Sequence, residues 1–565
     1  MTRTRDIASK SVLLPKTTAA TQVPSTVNVT PEKTASADQV VAPQKKFPGA
    51  VPSSQPLTGF ADPFKSRPVT DFVVFGATGD LMKRLLLPSL IGLTADQGLP
   101  KGSTVLGVGR AKGTDDSFRA EMREAAGTFA KTKPDSPELE RLTGSMGFQS
   151  ADFTPEDLAV LKARLDAQDA SRPAGAQRLL YLALPPQVVP QAIQALKAAG
   201  LLDIADGKPP VKIVLEKPFG HDLQSARELR DLLKDSLTDP KGNVRWQDRV
   251  LLIDHYMGKA AVEKLRDLRF GKPSADAPWN GAFESMLNAH HIDRIEIQAE
   301  EDVDIGSAKR GKFMEAVGAF RDMFQSHLQQ VASLLVMDRP RNKAGAFDQA
   351  QAQALMQFRT LSPDEVKTHT VRAQYASGRI GDRDVEAYRE VDGVANDSKV
   401  ETFFAVRTQV DSEKWQGVPF FIWSGKALEE KETSVRIDFK RLAPNVLALL
   451  KQHAPELSVG AQTPASLQIS IDPKPRYSLE VAGQSVVIAA PEAFDRRLPH
   501  QRLLEEAMEG KTDLFVSPEE ALAQWEHADA VLNAWAQQPE GPLLYTAGTL
   551  PKAAAEYMDD DDGRR

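Results

Sequence analysis

The stretch from Asp71 to Val108 constrains the fold more than any other part of the chain. Asp71-Phe72-Val73-Val74-Phe75 is a short run rich in strand formers, the turn Gly76-Ala77-Thr78-Gly79 follows, and apolar residues at helical spacing run from Leu81 to Leu93. Thr104-Val105-Leu106-Gly107-Val108 reads as a second strand one helix length later. Parallel neighbours need a crossover long enough to hold a helix, so this order specifies a βαβ unit. Leu179-Leu180-Tyr181-Leu182-Ala183-Leu184 and Val211-Lys212-Ile213-Val214-Leu215 continue the alternation. The expected first domain is therefore an α/β, Rossmann-type, doubly wound parallel sheet. Beyond residue 270 the strand-like segments lengthen, at 292–299, 371–375, 401–410, 433–439 and 467–471. That order suggests an α+β domain with a large, mainly antiparallel sheet.

A chain of 565 residues exceeds the roughly 250 to 300 residues at which a single core stops growing, so two domains are expected. The boundaries read as 1–69 for an extension, 70–253 for the nucleotide-binding domain, 254–553 for the α+β domain and 554–565 for an acidic flexible tail. The extension is rich in Pro, Thr, Ser and Ala without a hydrophobic period, which cannot offset the entropy of ordering it. Val12-Leu13-Leu14 is stopped by Pro15, so the extension lacks the apolar core of a secretory signal. Arg3, Arg5, Lys10 and Lys16 against Asp6 give only a faint likeness to a transit peptide. A cytoplasmic location is expected, with organellar targeting by the extension as the alternative.

The chain has no cysteine, which excludes disulfides, iron–sulfur clusters, thiol catalysis and thiolate zinc sites. Its nine histidines form no metal-ligand spacing, since His290 and His291 are adjacent, and no metal is expected. No run approaches the ~18 apolar residues of a membrane span. A net charge of −7 with mixed signs offers no broad basic surface for nucleic acid. An anionic substrate would have to meet a local cluster of cations.

Gly76, Thr78, Gly79, Asp80 and Leu81 occupy the strand-to-helix turn, where backbone N–H groups can hold a pyrophosphate. A plain turn is the alternative reading. The third small position of such a fingerprint is Met82, which must fit between helix and strand. The second strand ends at Gly107-Val108-Gly109-Arg110, a cation where an NAD site normally has an acid. A cation there suits a 2′-phosphate, so NADP is the expected cofactor, with Arg110 and Thr78 as discriminating contacts. An exposed strand-end arginine is the alternative.

Glu216-Lys217-Pro218-Phe219-Gly220 puts Lys217 at the carboxyl end of a parallel strand, the edge where open α/β sheets bind ligands. Asp254, His255, Tyr256 and Lys259 then crowd a carboxylate, an imidazole, a phenol and an ammonium into six positions after an apolar run. Such groups can hold a phosphate and orient a base. Arg321 to Gln329 is strongly helical and carries Asp322 and His327. Taken alone, His327 reads as a core histidine or as a base.

These motifs together resemble the glucose-6-phosphate dehydrogenase family. The matching segments are 76–84, 181–186, 216–220, 254–259, 321–329, 415–420 and 425–428. The resemblance implies oxidation of C1 of glucose 6-phosphate to 6-phosphogluconolactone with hydride transfer to NADP, the first step of the oxidative pentose phosphate pathway. It implies that His327 is the general base and Asp254 the carboxylate that orients it. At roughly 100° per residue in an α-helix, Asp322 and His327 lie about 140° apart and share no face, which also favours Asp254. Asp322 matches a position near sugar and nicotinamide. His255, Tyr256 and Lys259 match phosphate binders, Lys217 a lysine reaching a sugar hydroxyl and the cofactor, and Glu300 a sugar-hydroxyl acceptor. Lys426 and Lys431 match cations from the second domain, which would also build a homodimer or homotetramer.

Leu252 stands where the family commonly has Arg, Ser326 where it has Asn, and Trp423 where it has Arg, while a short insertion separates Glu300 from Arg321. These departures, with Met82, motivate a second hypothesis, a noncatalytic family member serving as a regulatory or assembly subunit. A sugar dehydrogenase of another Rossmann group is a third, which leaves residues 254–259 and 425–431 unexplained.

Overall fold

The computed structural model describes residues 67–133, 135–204, 208–341 and 346–559. The expected disordered extension, apart from its last residues, and the end of the acidic tail lie outside the described residues.

The first strand, β1 (Thr70–Phe75), is buried along its whole length. Its side chains alternate between two cores: Phe72 and Val74 join Leu87, Leu90 and Phe118 on one face, while Val73 and Phe75 join Leu158, Leu161 and Ile193 on the other. A strand covered by helices on both faces has no polar side to show, hence the continuous apolar run. β2 (Thr104–Gly109), β3 (Met146–Ser150), β4 (Gln177–Leu182), β5 (Val211–Glu216) and β6 (Val250–Ile253) pair in parallel in the order β6-β5-β4-β1-β2-β3. The order reverses between β1 and β4, which places the ligand crevice at their carboxyl ends. The turn after β1 closes there, with the N–H groups of Gly76 and Ala77 both donating to the Val108 carbonyl.

Met82 is fully buried in the core between this turn's helix and the sheet. The helix takes π form over Met82–Leu86 before continuing as an α-helix over Leu87–Ala95.

The second sheet is built on β7 (Ile292–Glu300), followed by β8 (Thr370–Ala376), a small hairpin of β9 (Gly378–Ile380) and β10 (Arg383–Val385), then β11 (Phe403–Thr408), β12 (Phe420–Gly425), β13 (Glu432–Phe439), β14 (Ala465–Asp472), β15 (Arg476–Val481) and β16 (Gln484–Ala489). With β18 (Leu543–Thr546) at one edge its order is β16-β15-β14-β13-β7-β12-β11-β8-β18, antiparallel except at β12/β7 and β18/β8. One face of β7, carrying Ile292, Ile295, Ile297 and Ala299, joins the same apolar cluster as Val73 and Phe75 of the first sheet. The two sheets therefore share a core along the helical segments 320–336.

One element departs from the parallel reading of the first domain. β17 (Phe515–Val516) returns from the far end of the chain and pairs antiparallel with β6. The helix Pro499–Glu509 before it buries Leu503, Leu504, Ala507 and Met508 in the first domain's core. A strand of two residues carries no period, and its attachment depends on contacts distant in sequence.

Candidate active site

β5, β6, β7, β12 and β14 all deliver chain ends to one region. At its centre Asp254, the first residue after β6, meets His327 with Oδ1 2.5 Å from Nδ1, both side chains being about 1% exposed. A carboxylate can only accept, so Nδ1–H donates and Nε2 keeps its lone pair. Asp254 Oδ1 also accepts the backbone N–H of Tyr256 at 2.9 Å, which ties the loop to the strand end. Burial pushes the His327 imidazole below its ordinary value, and the Asp254 carboxylate partly opposes it. Burial alone would raise the Asp254 carboxyl, but His327 and then Lys217 hold it below the usual range. A neutral imidazole against an ionised carboxylate is the state a general base requires.

The helix bearing His327 corrects an expectation. Phe320–Leu328 is π-helical, not α-helical. A π turn bonds residue i to residue i+5 and so brings residues five apart toward one face of the helix. Asp322 and His327 are both buried, and each charge acts on the other's ionisation. The pairing of His327 with Asp254 thus comes from the direct hydrogen bond and not from a separation of helix faces.

Asp322 is bracketed by two ammonium groups. Lys217 Nζ donates to its carbonyl at 2.6 Å and its Oδ1 at 3.2 Å, and Lys426 Nζ lies 3.2 Å from Oδ2. Burial would raise the Asp322 carboxyl, but Lys217 and Lys426 drive it far below the usual carboxylate range. Lys426 is only 3% exposed and its second partner is Glu301, at 2.9 Å. Burial opposes its charge, yet Asp322 and Glu301 raise its pKa above that of a free lysine.

Glu300 does not join this group. It closes β7 on the face opposite Ala299, where its Oε1 accepts the Trp423 indole N–H at 3.0 Å. Side chains alternate along a strand, so Glu301 shares the side of Ala299 and reaches Lys426. Trp423 packs in a separate core with Phe403 and Ala405, away from His327, and Leu252 is buried among apolar side chains.

Beside the pair, the Tyr256 ring stacks on His327 with centroids 4.3 Å apart, and the His255 ring meets His327 edge-on at 4.4 Å. Burial, reinforced by the charges of His327, Lys217 and Lys259, drops the His255 pKa well below its ordinary value, so it enters as a neutral hydrogen-bonding ring. Lys259 Nζ sits 3.9 Å over the Tyr256 ring and 3.4 Å from Asp472 Oδ2. Lys431, 45% exposed, contacts the same oxygen at 2.8 Å. Asp472, at the end of β14, is the anion between the two expected phosphate cations, and nothing in its local sequence marks it. Glu301 is legible only through strand parity.

Asp254, His255 and His327 also bring one ligand atom each within 4.8 Å of one another, a donor set that could hold a metal ion. The 2.5 Å hydrogen bond already commits Asp254 Oδ1 and His327 Nδ1 to one another.

The nucleotide turn lies at the opening between β1 and β4. Gly76 has φ +83°, and a Cβ there would fall 2.3 Å from the Ala183 carbonyl oxygen. No side chain is tolerated at Gly76 itself, and around it Thr78 is half-buried while Gly79 and Asp80 are exposed. Thr78 Oγ1 lies against the end of β2, 3.6 Å from where a Gly109 Cβ would stand. Arg110 is exposed beside it, and no ion pair or hydrogen bond involves it among the described residues. Asp80 is paired with Arg84 at 2.6 Å, and Leu81 is half-buried at the helix start. A bare backbone turn with an unpaired cation at the neighbouring strand end fits a dinucleotide carrying a 2′-phosphate. The Lys217–Pro218 bond next to this crevice is cis.

Two family descriptions match the chain: "Glucose-6-phosphate dehydrogenase, NAD binding domain" over residues 73–264 and "Glucose-6-phosphate dehydrogenase, C-terminal domain" over residues 278–565. Among curated relatives, glucose-6-phosphate 1-dehydrogenase of Chlamydia pneumoniae is 32% identical over 87% of this chain and 94% of its own length. The enzyme of that name from Mycolicibacterium smegmatis is 32% identical over 88% of this chain and 97% of its own. A solved glucose-6-phosphate dehydrogenase in complex with its substrate glucose-6-phosphate superposes with a TM-score of 0.73 at 26% identity, covering 87% of this chain and 98% of that one. The crystal structure of glucose-6-phosphate 1-dehydrogenase from Mycobacterium avium gives 0.69 at 30% identity, with 87% and 97% covered.

Proposed function

The chain belongs to the glucose-6-phosphate dehydrogenase family, and from that premise we propose how its residues divide the reaction. Its activity is oxidation of C1 of glucose 6-phosphate to 6-phosphogluconolactone with reduction of NADP. NADP supplies the hydride acceptor when bound. Gly76, Thr78, Gly79, Asp80 and Leu81 would hold its pyrophosphate, and Arg110 with Thr78 its 2′-phosphate.

Nε2 of His327 takes the proton of the C1 hydroxyl while the C1 hydrogen departs with its electron pair, leaving the lactone carbonyl. Asp254 fixes the tautomer that exposes this nitrogen and stabilises the imidazolium that forms. Tyr256 and His255 pack the ring from two sides, so it has one orientation. Lys259, Lys431, Tyr256 and neutral His255 receive the phosphate, with Asp472 setting the lysines before the ligand arrives. Lys217, Asp322 and Lys426 bind sugar hydroxyls, and Glu301 replaces Glu300 as the acceptor. This arrangement answers how a chain of net charge −7 meets an anion: its cations are gathered locally.

The observation that carries the reading is the fully buried Asp254–His327 hydrogen bond of 2.5 Å beside Lys217, Asp322 and Lys426. It also opposes a noncatalytic role, because Asp254 Oδ2 stays buried without a hydrogen-bond partner among the described residues, and apolar packing could fill such a place at no greater cost. The test is the initial rate of NADP and NAD reduction, followed at the nicotinamide absorbance, with glucose 6-phosphate and with glucose. Rapid phosphate-dependent reduction supports the reading, and silence of folded protein contradicts it.

Assembly into a homodimer or homotetramer through the second domain belongs to the same proposal, as do a cytoplasmic location and the division of domains between residues 253 and 254. Light scattering on the purified chain tests the assembly. Among the described residues no helix is long and apolar enough to cross a membrane.

A further inference from the structure

We propose that His500, brought from the far end of the chain, is a positioning residue that fixes the Glu216 carboxylate at the cofactor crevice. The inference rests on the nucleotide-site reading above but not on the role given to His327.

The first turn of the helix Pro499–Glu509 is wedged against three parts of the site. The Pro499 carbonyl oxygen lies 2.6 Å from where a Cβ of Gly258 would stand, so the loop of residues 254–259 can close on this turn only with glycine there. Arg502, 4% exposed, donates to the Gly258 carbonyl at 2.9 Å and pairs with Glu263. Gln501 donates to Asp96 at 2.7 Å and fills the space left by Gly92 on the helix after the nucleotide turn. His500, between these anchors, is buried, its ring stacked on His255 at 6.3 Å and 14°.

The Nε2 of His500 lies 3.3 Å from Glu216 Oε1, and the same oxygen accepts the hydroxyl of Tyr181. Burial, then the charge of Glu216, keeps the Tyr181 phenol neutral and hence a donor. A carboxylate oxygen can only accept, so Nε2–H of His500 is the second donor. Oε1 is thereby held from two sides, while Oε2 has no partner among the described residues on a side chain 16% exposed. Glu216 closes β5 one residue before Lys217, at the carboxyl edge of the sheet, with β4 between it and the strand-order reversal and Tyr181 on that intervening strand. A fixed acceptor there can meet an amide or hydroxyl donor of the dinucleotide, whereas a carboxylate held only by Tyr181 can rotate away.

The experiment is NADPH binding to the full-length chain by fluorescence titration, without sugar phosphate, so no turnover is involved. His500→Phe keeps the ring stacked on His255 and removes the donor; His500→Gln keeps an N–H of similar reach. The expected result is a weakening of roughly 10-fold for the Phe variant, the scale of one charge-assisted hydrogen bond, with the Gln variant within about 3-fold of wild type. In a Glu216→Ala background His500→Phe should change binding by less than about 2-fold, because its partner is gone. Wild-type affinity in the Phe variant, a Gln variant weaker than the Phe variant, or the full loss persisting in the Glu216→Ala background would overturn the proposal. Failure of the His327 reading would appear only in turnover and leaves this titration unaffected.

Discussion

At the end of β1 the chain offers a ligand mostly backbone, with Gly76 pressed against the Ala183 carbonyl and Arg110 standing exposed and unpaired among the described residues. At the ends of β6, β7, β12 and β14 it offers polar groups that already hold one another: buried Asp254 with His327, buried Asp322 between Lys217 and Lys426, and the more open Asp472 between Lys259 and Lys431. The first arrangement suits a long ligand whose phosphates bring their own charge to a backbone turn and an exposed cation. The second suits a small sugar whose hydroxyls must be oriented to a fraction of an ångström, and its groups are set before binding. The two halves should therefore respond differently when a charge is removed.

The largest contrast concerns stability. Lys426→Met removes one of the two ammonium groups on buried Asp322 and the partner of half-buried Glu301, a loss of about 3 kcal/mol, the low end for broken buried pairs because Lys217 remains on Asp322. Urea unfolding measures it, and a change no larger than that of a surface substitution would mean the sugar half is not preorganised by charge. Next comes the comparison of the two adjacent glutamates. Glu301→Gln should raise KM for glucose 6-phosphate roughly 10-fold, the scale of a charged hydrogen bond, while Glu300→Gln leaves it within about 2-fold. The reverse ranking would return the acceptor role to Glu300. Arg110→Ala should raise KM for NADP by a similar order, roughly 10-fold, and leave both KM for NAD and the melting temperature unchanged, because the arginine has no hydrogen-bond or ion-pair partner among the described residues. An unchanged preference for NADP removes Arg110 from the discrimination.

The smallest effect is a displacement on the pH axis. Burial lowers the His327 pKa from its ordinary value of 6.5, so the base stays neutral further into acid. Activity requires the neutral form, and kcat/KM should fall as pH drops through the lowered value, with the acid limb centred below 6.5. Asp254→Asn removes the charge that stabilises imidazolium and should move what activity remains to still lower pH. An acid limb above the ordinary imidazole value would contradict the burial argument.

The same contrast governs how much of the fold and of the site is legible in the sequence. The backbone half announces itself in local patterns: the β1 run, two glycines and a helical period are contiguous, and strand alternation follows from the side chains alone. The motifs Glu216-Lys217-Pro218 and Asp254 to Lys259 mark the strand ends that the fold then converges. What stays hidden depends on contacts between distant segments or on local departures from regular geometry. Asp472 and His500 gain meaning through packing against Lys259 and Glu216, more than 200 positions earlier, and β17 is too short to show a period. Expecting an α-helix around Asp322 and His327 overlooks the π turn, whose wider spacing is not encoded in any hydrophobic period. That Glu301 and not Glu300 reaches Lys426 follows from the parity of Ile295, Ile297 and Ala299, which the Glu300-Glu301 pair does not display by itself.

The central claim is that His327 is the base, held by Asp254. Its most direct test is His327→Asn, assayed for kcat with glucose 6-phosphate and NADP and, on the same sample, for NADPH affinity. The account expects kcat to fall by at least ~10²-fold, the scale of lost general-base help, with NADPH affinity unchanged. A variant that turns over within a few fold of wild type would contradict it.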